Sequence, residues 1–458
     1  MKRNEDLLRE GGYGKLLLNL SLPSVVIMIV MVLYNMADVF FIGQLGDPYR
    51  IAAVGLAGPV FSALAGLGTL FGSGGCTAIS LALGRGDREQ AKKVSSLCFV
   101  GSLLLGLLFG GAILLWLDPL CRLLGTDEHT LAHTRDYMRI IACFAPVSLF
   151  SHVFVNLIRA DGAAKVSMLA NVLGTITNVI LDPIFILVFH WGVRGAAIAT
   201  GIGNAVGALM ALRYVLRNRE LYSLDPFRAK PDGKLAWQVF TLGLPMAFST
   251  ILMSVSHVIS NKLLVSYDSI AVAAQSVAGK IGMLNSMLSM GICIGMQPAI
   301  SYNHAAGNRA RTREILRKTA LTTVCCALLI SLGCYLFRDA LLTAFIDDAS
   351  VLSIGRIALL ASVAGGPIYG LYQNATTYFQ ATGKAGHATL CSLLDKGLIY
   401  IPVLYLLNAL YGMFGVFFTG AATDALSLLA AAGLIVLSLR REKCFIAEPT
   451  PEKQNGQA

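Results

Sequence analysis

The chain of 458 residues is 55% hydrophobic and only 14% charged, with a mean hydropathy of +0.67. Soluble globular domains carry about 25% charged residues, so this composition excludes an ordinary soluble protein. The net charge is +10, but the basic residues are concentrated in particular connecting segments. We interpret that charge as a topology signal and expect no nucleic-acid partner.

Long apolar segments with short polar connections predict an all-α integral membrane protein, because each segment reaches the roughly 20 residues that a bilayer requires. No segment alternates with the period of two that barrel strands would show. The N-terminal residues have no small-residue cleavage site after a short apolar core, so we expect the first span to anchor the chain. The predicted spans are residues 20–44, 52–82, 95–117, 134–157, 165–190, 193–215, 238–266, 270–301, 316–337, 352–379, 386–408 and 411–438.

The distribution of Lys and Arg predicts the orientation. Most of the 36 basic residues lie in the two termini and in the loops that follow the even-numbered spans. Cytoplasmic loops of membrane proteins have this basic excess. We therefore expect a multi-pass protein of the cell membrane with both termini in the cytoplasm.

The two halves of the chain repeat each other. LSLPSVVIMIV, with Pro23, returns as LGLPMAFSTIL, with Pro245, and Gly162 returns as Gly383. Six spans per repeat is an even number, so the repeats predict two six-helix bundles related by a pseudo-twofold axis along the membrane normal, as in secondary transporters. The predicted divisions are an N-terminal lobe at 1–216, a cytoplasmic linker at 217–237, a C-terminal lobe at 238–440 and a cytoplasmic tail at 441–458. We expect a monomer with its substrate cavity between the lobes.

Polar residues inside the spans of the N-terminal lobe predict a cation site. Asp182 follows Asn178 by one helical turn, and a carboxylate within the bilayer is costly unless it serves an ion or proton. Asp38 and Thr200 lie at a similar depth, roughly 10 to 12 Å below the outer surface at 1.5 Å per residue. These oxygens suit Na⁺ or a proton, and the sequence does not choose between them. A buried hydrogen-bond network that only joins helices is the alternative. Pro183 cannot donate a backbone hydrogen bond, which predicts a bend beside the site.

Further residues of interest lie in the C-terminal lobe and in the first span. Lys280 and Asp395 both lie near the predicted midplane, which predicts a structural ion pair, with Lys396 or Asp424 as further partners. A substrate counter-ion or second proton carrier at Asp395 is the alternative. Tyr34, Met283 and Met287 would offer an adaptable surface to apolar ligands, or would pack in the core. No organic cofactor is expected.

Several of these segments resemble one family. The stretches YNMADVFFIGQLG, NVILDPIFI, GVRGAAIAT and MQPAISYNHAAGN are similar to the prokaryotic branch of the multidrug and toxic compound extrusion (MATE) family. The resemblance implies a V-shaped cavity between two six-helix bundles and export of cationic or amphiphilic drugs by antiport with Na⁺ or H⁺. It places the cation site of the N-terminal lobe at Asp38, Asn178, Asp182 and Thr200.

Two functions other than drug transport are alternatives for a membrane protein of this kind. A membrane enzyme would need clustered acidic or His residues at one surface, and the sequence shows no such cluster, so we expect no enzyme. A flippase for a lipid-linked saccharide remains the alternative, although basic residues would then be expected in the cavity to bind pyrophosphate.

Overall fold

The computed structural model describes residues 2–43, 48–226, 233–267, 269–343 and 349–447, and all regular secondary structure in these ranges is helical. Twelve helical segments are long and apolar enough to cross a membrane. They run from Tyr13–Val32 to Met413–Ser438 and follow the predicted spans in order. The prediction of an all-α protein with twelve spans is confirmed.

The N-terminal lobe contains six long helices and shorter connecting ones. The α-helices are α1 (Lys2–Glu10), α2 (Tyr13–Leu16), α3 (Leu22–Gly43), α4 (Pro48–Gly84), α5 (Arg88–Leu115), α6 (Leu117–Leu123), α7 (Leu131–Leu157), α8 (Ala164–Pro183) and α9 (Val193–Arg217). Two π-helical segments, Leu17–Ser21 and Ile184–Val188, and a 3₁₀ turn, Ile158–Asp161, extend α2, α8 and α7 respectively.

The C-terminal lobe has the same organisation. Its α-helices are α10 (Gly233–Val265), α11 (Ser269–Ala305), α12 (Arg309–Leu336), α13 (Arg338–Thr343), α14 (Ala349–Ala364), α15 (Gly366–Ala381), α16 (Ala385–Leu393), α17 (Tyr400–Tyr411) and α18 (Met413–Ala447). A π-helical segment, Leu394–Leu398, connects α16 to α17.

The internal repeat extends to the way that corresponding helices begin. Gly86 and Gly307 have φ of 78° and 77°, a left-handed conformation that glycine adopts without strain. The next residues, Asp87 and Asn308, cap α5 and α12 by accepting hydrogen bonds from the backbone N–H three residues later, at 2.8 and 3.1 Å. The two halves therefore share local geometry as well as hydropathy.

Glycine allows the two lobes to approach each other at the end of the molecule where α1 begins and α18 ends, which we call the terminal-bearing end. A Cβ on Gly243 of α10 would lie 1.9 Å from the carbonyl oxygen of Leu70 on α4, and a Cβ on Gly74 would lie 2.0 Å from that of Val239. Any larger residue would push the helices apart. The backbones of α4 and α10 therefore touch directly here.

Hydrogen bonds between buried side chains and the opposite lobe accompany this contact. Ser21 Oγ donates to the carbonyl oxygen of Ile292 at 3.0 Å, and Gln297 Nε2 donates to Thr77 Oγ1 at 2.8 Å. Farther from the termini, Met31 on α3 and Met283 on α11 are exposed. The lobes are thus joined at one end, with exposed side chains on both lobes beyond the contact.

The connection between the lobes follows α9 and precedes α10. The linker was placed at 217–237, but α9 ends at Arg217 and α10 already begins at Gly233. Leu221 and Tyr222 are buried against the N-terminal lobe. Residues 227–232 lie outside the described ranges, as do 448–458 of the predicted tail, whose earlier residues extend α18 to Ala447.

Candidate cation site and inter-lobe cleft

Three of the four predicted cation-site residues meet in the interior of the N-terminal lobe. Asn178 and Asp182 lie one turn apart on α8, and Thr200 lies on the neighbouring α9. Asn178 Nδ2 is 3.4 Å from Asp182 Oδ1 and 3.4 Å from Thr200 Oγ1. The exposed fractions of these residues are 2%, 0% and 5%. The amide thus bridges a carboxylate and a hydroxyl away from solvent.

A glycine contact between α8 and α9 brings these side chains together. A Cβ on Gly203 would lie 2.6 Å from the carbonyl oxygen of Gly174, and a Cβ on Gly174 would lie 2.6 Å from that of Gly203. The same Gly203 position is 3.0 Å from Cβ of Asn178. Small residues at a helix crossing allow this close approach within a membrane. The crossing therefore sets the distance between Asn178 and Thr200.

The oxygen atoms of this group are suited to a small cation. Hydrogen bonds of 3.4 Å are longer than the usual 2.7 to 3.2 Å, so the amide holds its partners weakly. Asn178 Oδ1 is buried and accepts no hydrogen bond from the described residues. Carboxylate, amide and hydroxyl oxygens are the ligands that hard cations prefer. The group offers such oxygens from two adjacent helices.

Asp38, the fourth predicted member, lies on α3, and Tyr34 lies one turn before it. The side chains of both lie outside the part of the chain that is described. Helix α3 packs against α8, the helix of Asn178 and Asp182. The participation of Asp38 in the cation site therefore stays a prediction.

A row of polar residues on one face of α7 was not predicted as part of the site from the sequence. Asn204 Nδ2, one turn beyond Thr200, donates to Ser148 Oγ at 3.1 Å, and His152 Nδ1 lies 2.8 Å from the carbonyl oxygen of Ser148. Asn156 continues the row, donating to the carbonyl oxygen of His152 at 2.7 Å. The signal was available, because Ser148, His152 and Asn156 are spaced four residues apart in one span and so share a helical face.

The carboxylate of Asp395 pairs with Lys396, one of the further partners predicted for it, and not with Lys280. Its Oδ2 lies 2.7 Å from Nζ of Lys396, the next residue in the chain. Asp395 is 1% exposed, and Lys396 Nζ also lies 5.2 Å from the ring centroid of Tyr369. No ion pair joins Asp395 to Lys280 in the described ranges, and Lys280 is exposed.

The position of Lys280 around α11 explains this correction. Gly291 of α11 faces the other lobe, since a Cβ there would lie 2.8 Å from Cα of Val25 on α3. Lys280 precedes Gly291 by eleven residues, or about three turns, and so lies on the same face. Equal depth in the membrane brings two residues together only when their side chains also point toward each other. Lys280 instead points toward the space between the lobes.

Met287 and Met283 precede Gly291 by four and eight residues, which places them on the same face of α11. Met287 is partly buried and Met283 is 42% exposed. Both therefore lie beyond the point where the lobes separate, on the wall of the inter-lobe cleft. Thioether side chains are flexible and polarisable, so at this position they would suit an adaptable apolar surface.

Comparisons with known proteins agree with this architecture. The MatE family model matches residues 23–184 and again 245–406, one match in each lobe. The multidrug export protein MepA of Staphylococcus aureus strain N315 is 32% identical over 426 residues, which cover 93% of this chain and 94% of that protein. The MepA protein of Staphylococcus saprophyticus is 30% identical over 424 residues, covering 93% of both chains.

Solved structures with the same fold include a MATE protein in the bent conformation, with a TM-score of 0.84 and 25% identity, covering 96% of this chain and 98% of the other. A second is the outward-facing conformation of a multidrug resistance MATE family transporter of the MOP superfamily, with a TM-score of 0.86 and 24% identity over 95% and 98% of the two chains.

Proposed function

Because the chain belongs to the MatE family of membrane transporters, we propose that it is a secondary multidrug exporter that expels cationic or amphiphilic molecules in exchange for Na⁺ or H⁺. It is a transporter and not an enzyme. The relatives named as multidrug export proteins support drugs as the substrate class. They do not support the alternative of a lipid-linked saccharide flippase.

The observation that carries the proposal is the buried group formed by Asp182, Asn178 and Thr200. A carboxylate inside a membrane protein is expensive to keep ionised, and a bound cation or proton offsets that cost. Its location within one lobe, separate from the methionines of the cleft, allows the ion and the drug to bind at different places. Binding of the ion at one site can then change the affinity for the drug at the other.

The contact between the lobes supplies the second requirement for transport, which is access from one side at a time. Glycines in α4 and α10 bring the lobes together at the terminal-bearing end. We infer from the basic excess of the loops at that end that it faces the cytoplasm. In this conformation the cleft would face the exterior, and export requires a second state in which the contact at Gly74 and Gly243 opens.

Transport into proteoliposomes tests the proposal, with Na⁺ and pH gradients imposed separately and a fluorescent monocationic dye as substrate. We expect one gradient to drive uptake in the wild type, and Asp182→Asn to abolish it. Asp136→Asn is a matched control, since Asp136 is also a carboxylate of the N-terminal lobe but pairs with Arg194 at the surface at 2.8 Å. Equal gradient-driven transport by Asp182→Asn and the control would refute the proposed site, and no response to either gradient would refute antiport.

A further inference from the structure

The segment that follows α9 fills a groove on the N-terminal lobe. Leu221 and Tyr222 are buried there, and Tyr222 OH donates to the carbonyl oxygen of Leu157 on α7 at 3.3 Å. Ser95 Oγ of α5 donates to the carbonyl oxygen of Ser223 at 3.2 Å, and the next hydroxyl, that of Ser96, donates to the carbonyl oxygen of Asp225. The chain itself thus covers the groove between α5 and α7.

The corresponding groove of the C-terminal lobe is open and basic. Helices α5 and α12 have the same length, and α12 begins 221 residues later, so Arg317 occupies the position of Ser96. Between α12 and α15 lies a cavity of about 760 Å³. The residues that line it include Arg313, Arg317, Lys318, Leu321, Val324 and Leu371, together with Glu314.

The lining of this cavity changes from basic to apolar along one helical face. Arg313, Arg317, Leu321 and Val324 follow each other at intervals of four, four and three residues, which places them in one line on α12. Leu321 is 64% exposed. The line from Arg313 to Val324 is about 16 Å long at 1.5 Å per residue, close to the roughly 15 Å thickness of one hydrocarbon leaflet.

The charge at the basic end is available to a ligand. Glu314 Oε1 is engaged by Lys318 Nζ at 2.6 Å. Arg313 and Arg317 are exposed and form no ion pair with any described residue. Guanidinium groups bind phosphate through two parallel hydrogen bonds, so two of them at one end of an apolar groove match a phosphate headgroup joined to acyl chains.

We propose that the groove between α12 and α15 binds an anionic phospholipid, with the phosphate at Arg313 and Arg317 and an acyl chain along Leu321, Val324 and Leu371. Basic pockets between membrane helices on the cytoplasmic side are known to select such lipids. The phosphate would then lie, in this lobe, at the position where the chain segment after α9 contacts Ser96 in the other. This site is independent of the cation site and of the drug cleft.

Native mass spectrometry of the full-length, delipidated protein tests the site. Phosphatidylglycerol and phosphatidylcholine with identical acyl chains are titrated separately. Arg313→Gln/Arg317→Gln should weaken phosphatidylglycerol binding about twenty-five-fold, since each basic residue contributes about fivefold, and should leave phosphatidylcholine binding unchanged. The control, Arg85→Gln/Lys93→Gln, removes the same charge from exposed residues of the N-terminal lobe, outside the groove, and should retain wild-type binding.

A second variant distinguishes loss of the lipid site from loss of folding. Glu314→Gln removes the carboxylate from the groove and frees Lys318, so it should tighten phosphatidylglycerol binding about fivefold, a gain that misfolding cannot produce. Unchanged binding in both groove variants would overturn the proposal. An equal loss of binding in the control variant would show a nonspecific charge effect. Displacement of the lipid by millimolar glycerol phosphate would show a site for free phosphate. Either result would also overturn the proposal.

Discussion

Replacing Lys396 by methionine should destabilise the C-terminal lobe, because it leaves the carboxylate of Asp395 buried without its counter-ion. Asp395 Oδ2 lies 2.7 Å from Lys396 Nζ, and Oδ1 accepts no hydrogen bond from the described residues. Removing one partner of such a buried pair costs about 3 to 5 kcal/mol. Since Lys396 contributes the single ion pair of this carboxylate in the described ranges, we expect a loss within that interval.

The double variant Asp395→Leu/Lys396→Met should recover much of this loss. Replacing both charges removes both desolvation penalties, so the coupling between the two substitutions should be large and favourable. Thermal denaturation of the detergent-solubilised protein, followed by size-exclusion chromatography, measures the cycle. Lys280→Met is the matched control, because Lys280 is exposed on the cleft face of α11 and should leave the denaturation midpoint of the wild type unchanged.

Drug transport by the double variant then separates a structural pair from a functional one. A stable double variant that transports normally would show that Asp395 only stabilises the lobe. A stable but inactive one would make Asp395 a counter-ion or proton carrier instead. A Lys396→Met protein as stable as the wild type would refute the physical argument, and destabilisation by Lys280→Met would restore the pair that depth alone predicted.

Three further substitutions test the geometry of the cleft and the cation site. Gly203→Val should separate α9 from α8, because a Cβ on residue 203 would lie 2.6 Å from the carbonyl oxygen of Gly174. The variant should therefore be stabilised less by the cation, as measured by thermal denaturation with and without Na⁺ or at two pH values. Pro183→Ala should straighten the fifth span and slow dye transport more than it weakens dye binding, and a normal transport rate would remove a hinge from the mechanism. Gly243→Val should prevent α10 from packing against α4, because a Cβ at this position would lie 1.9 Å from the carbonyl oxygen of Leu70. Cysteines introduced at the terminal-bearing end should then be labelled faster than in the wild type. Unchanged labelling would contradict direct backbone contact.

The sequence by itself determined the twelve spans, their order and the two-lobe repeat. These properties depend on hydropathy along the chain, because the bilayer imposes a minimum apolar length on each helix. It also placed Asn178 and Asp182 on one face, since a separation of four residues fixes their relation within a helix. Thr200 could be added because it lies at the same depth, and the structure brings it within 3.4 Å of Asn178.

Only the tertiary structure decided which way each helix faces its neighbours. Depth placed Lys280 beside Asp395, but the contact of Gly291 with α3 turns Lys280 toward the cleft and leaves Asp395 to Lys396. In the sequence, the basic residues of α12 indicate only the topology. The open groove beside α15 distinguishes Arg313 and Arg317 from the other basic residues at this end of the molecule. Rotation about a helix axis is set by packing between helices distant in sequence, and hydropathy along the chain contains too little information about it.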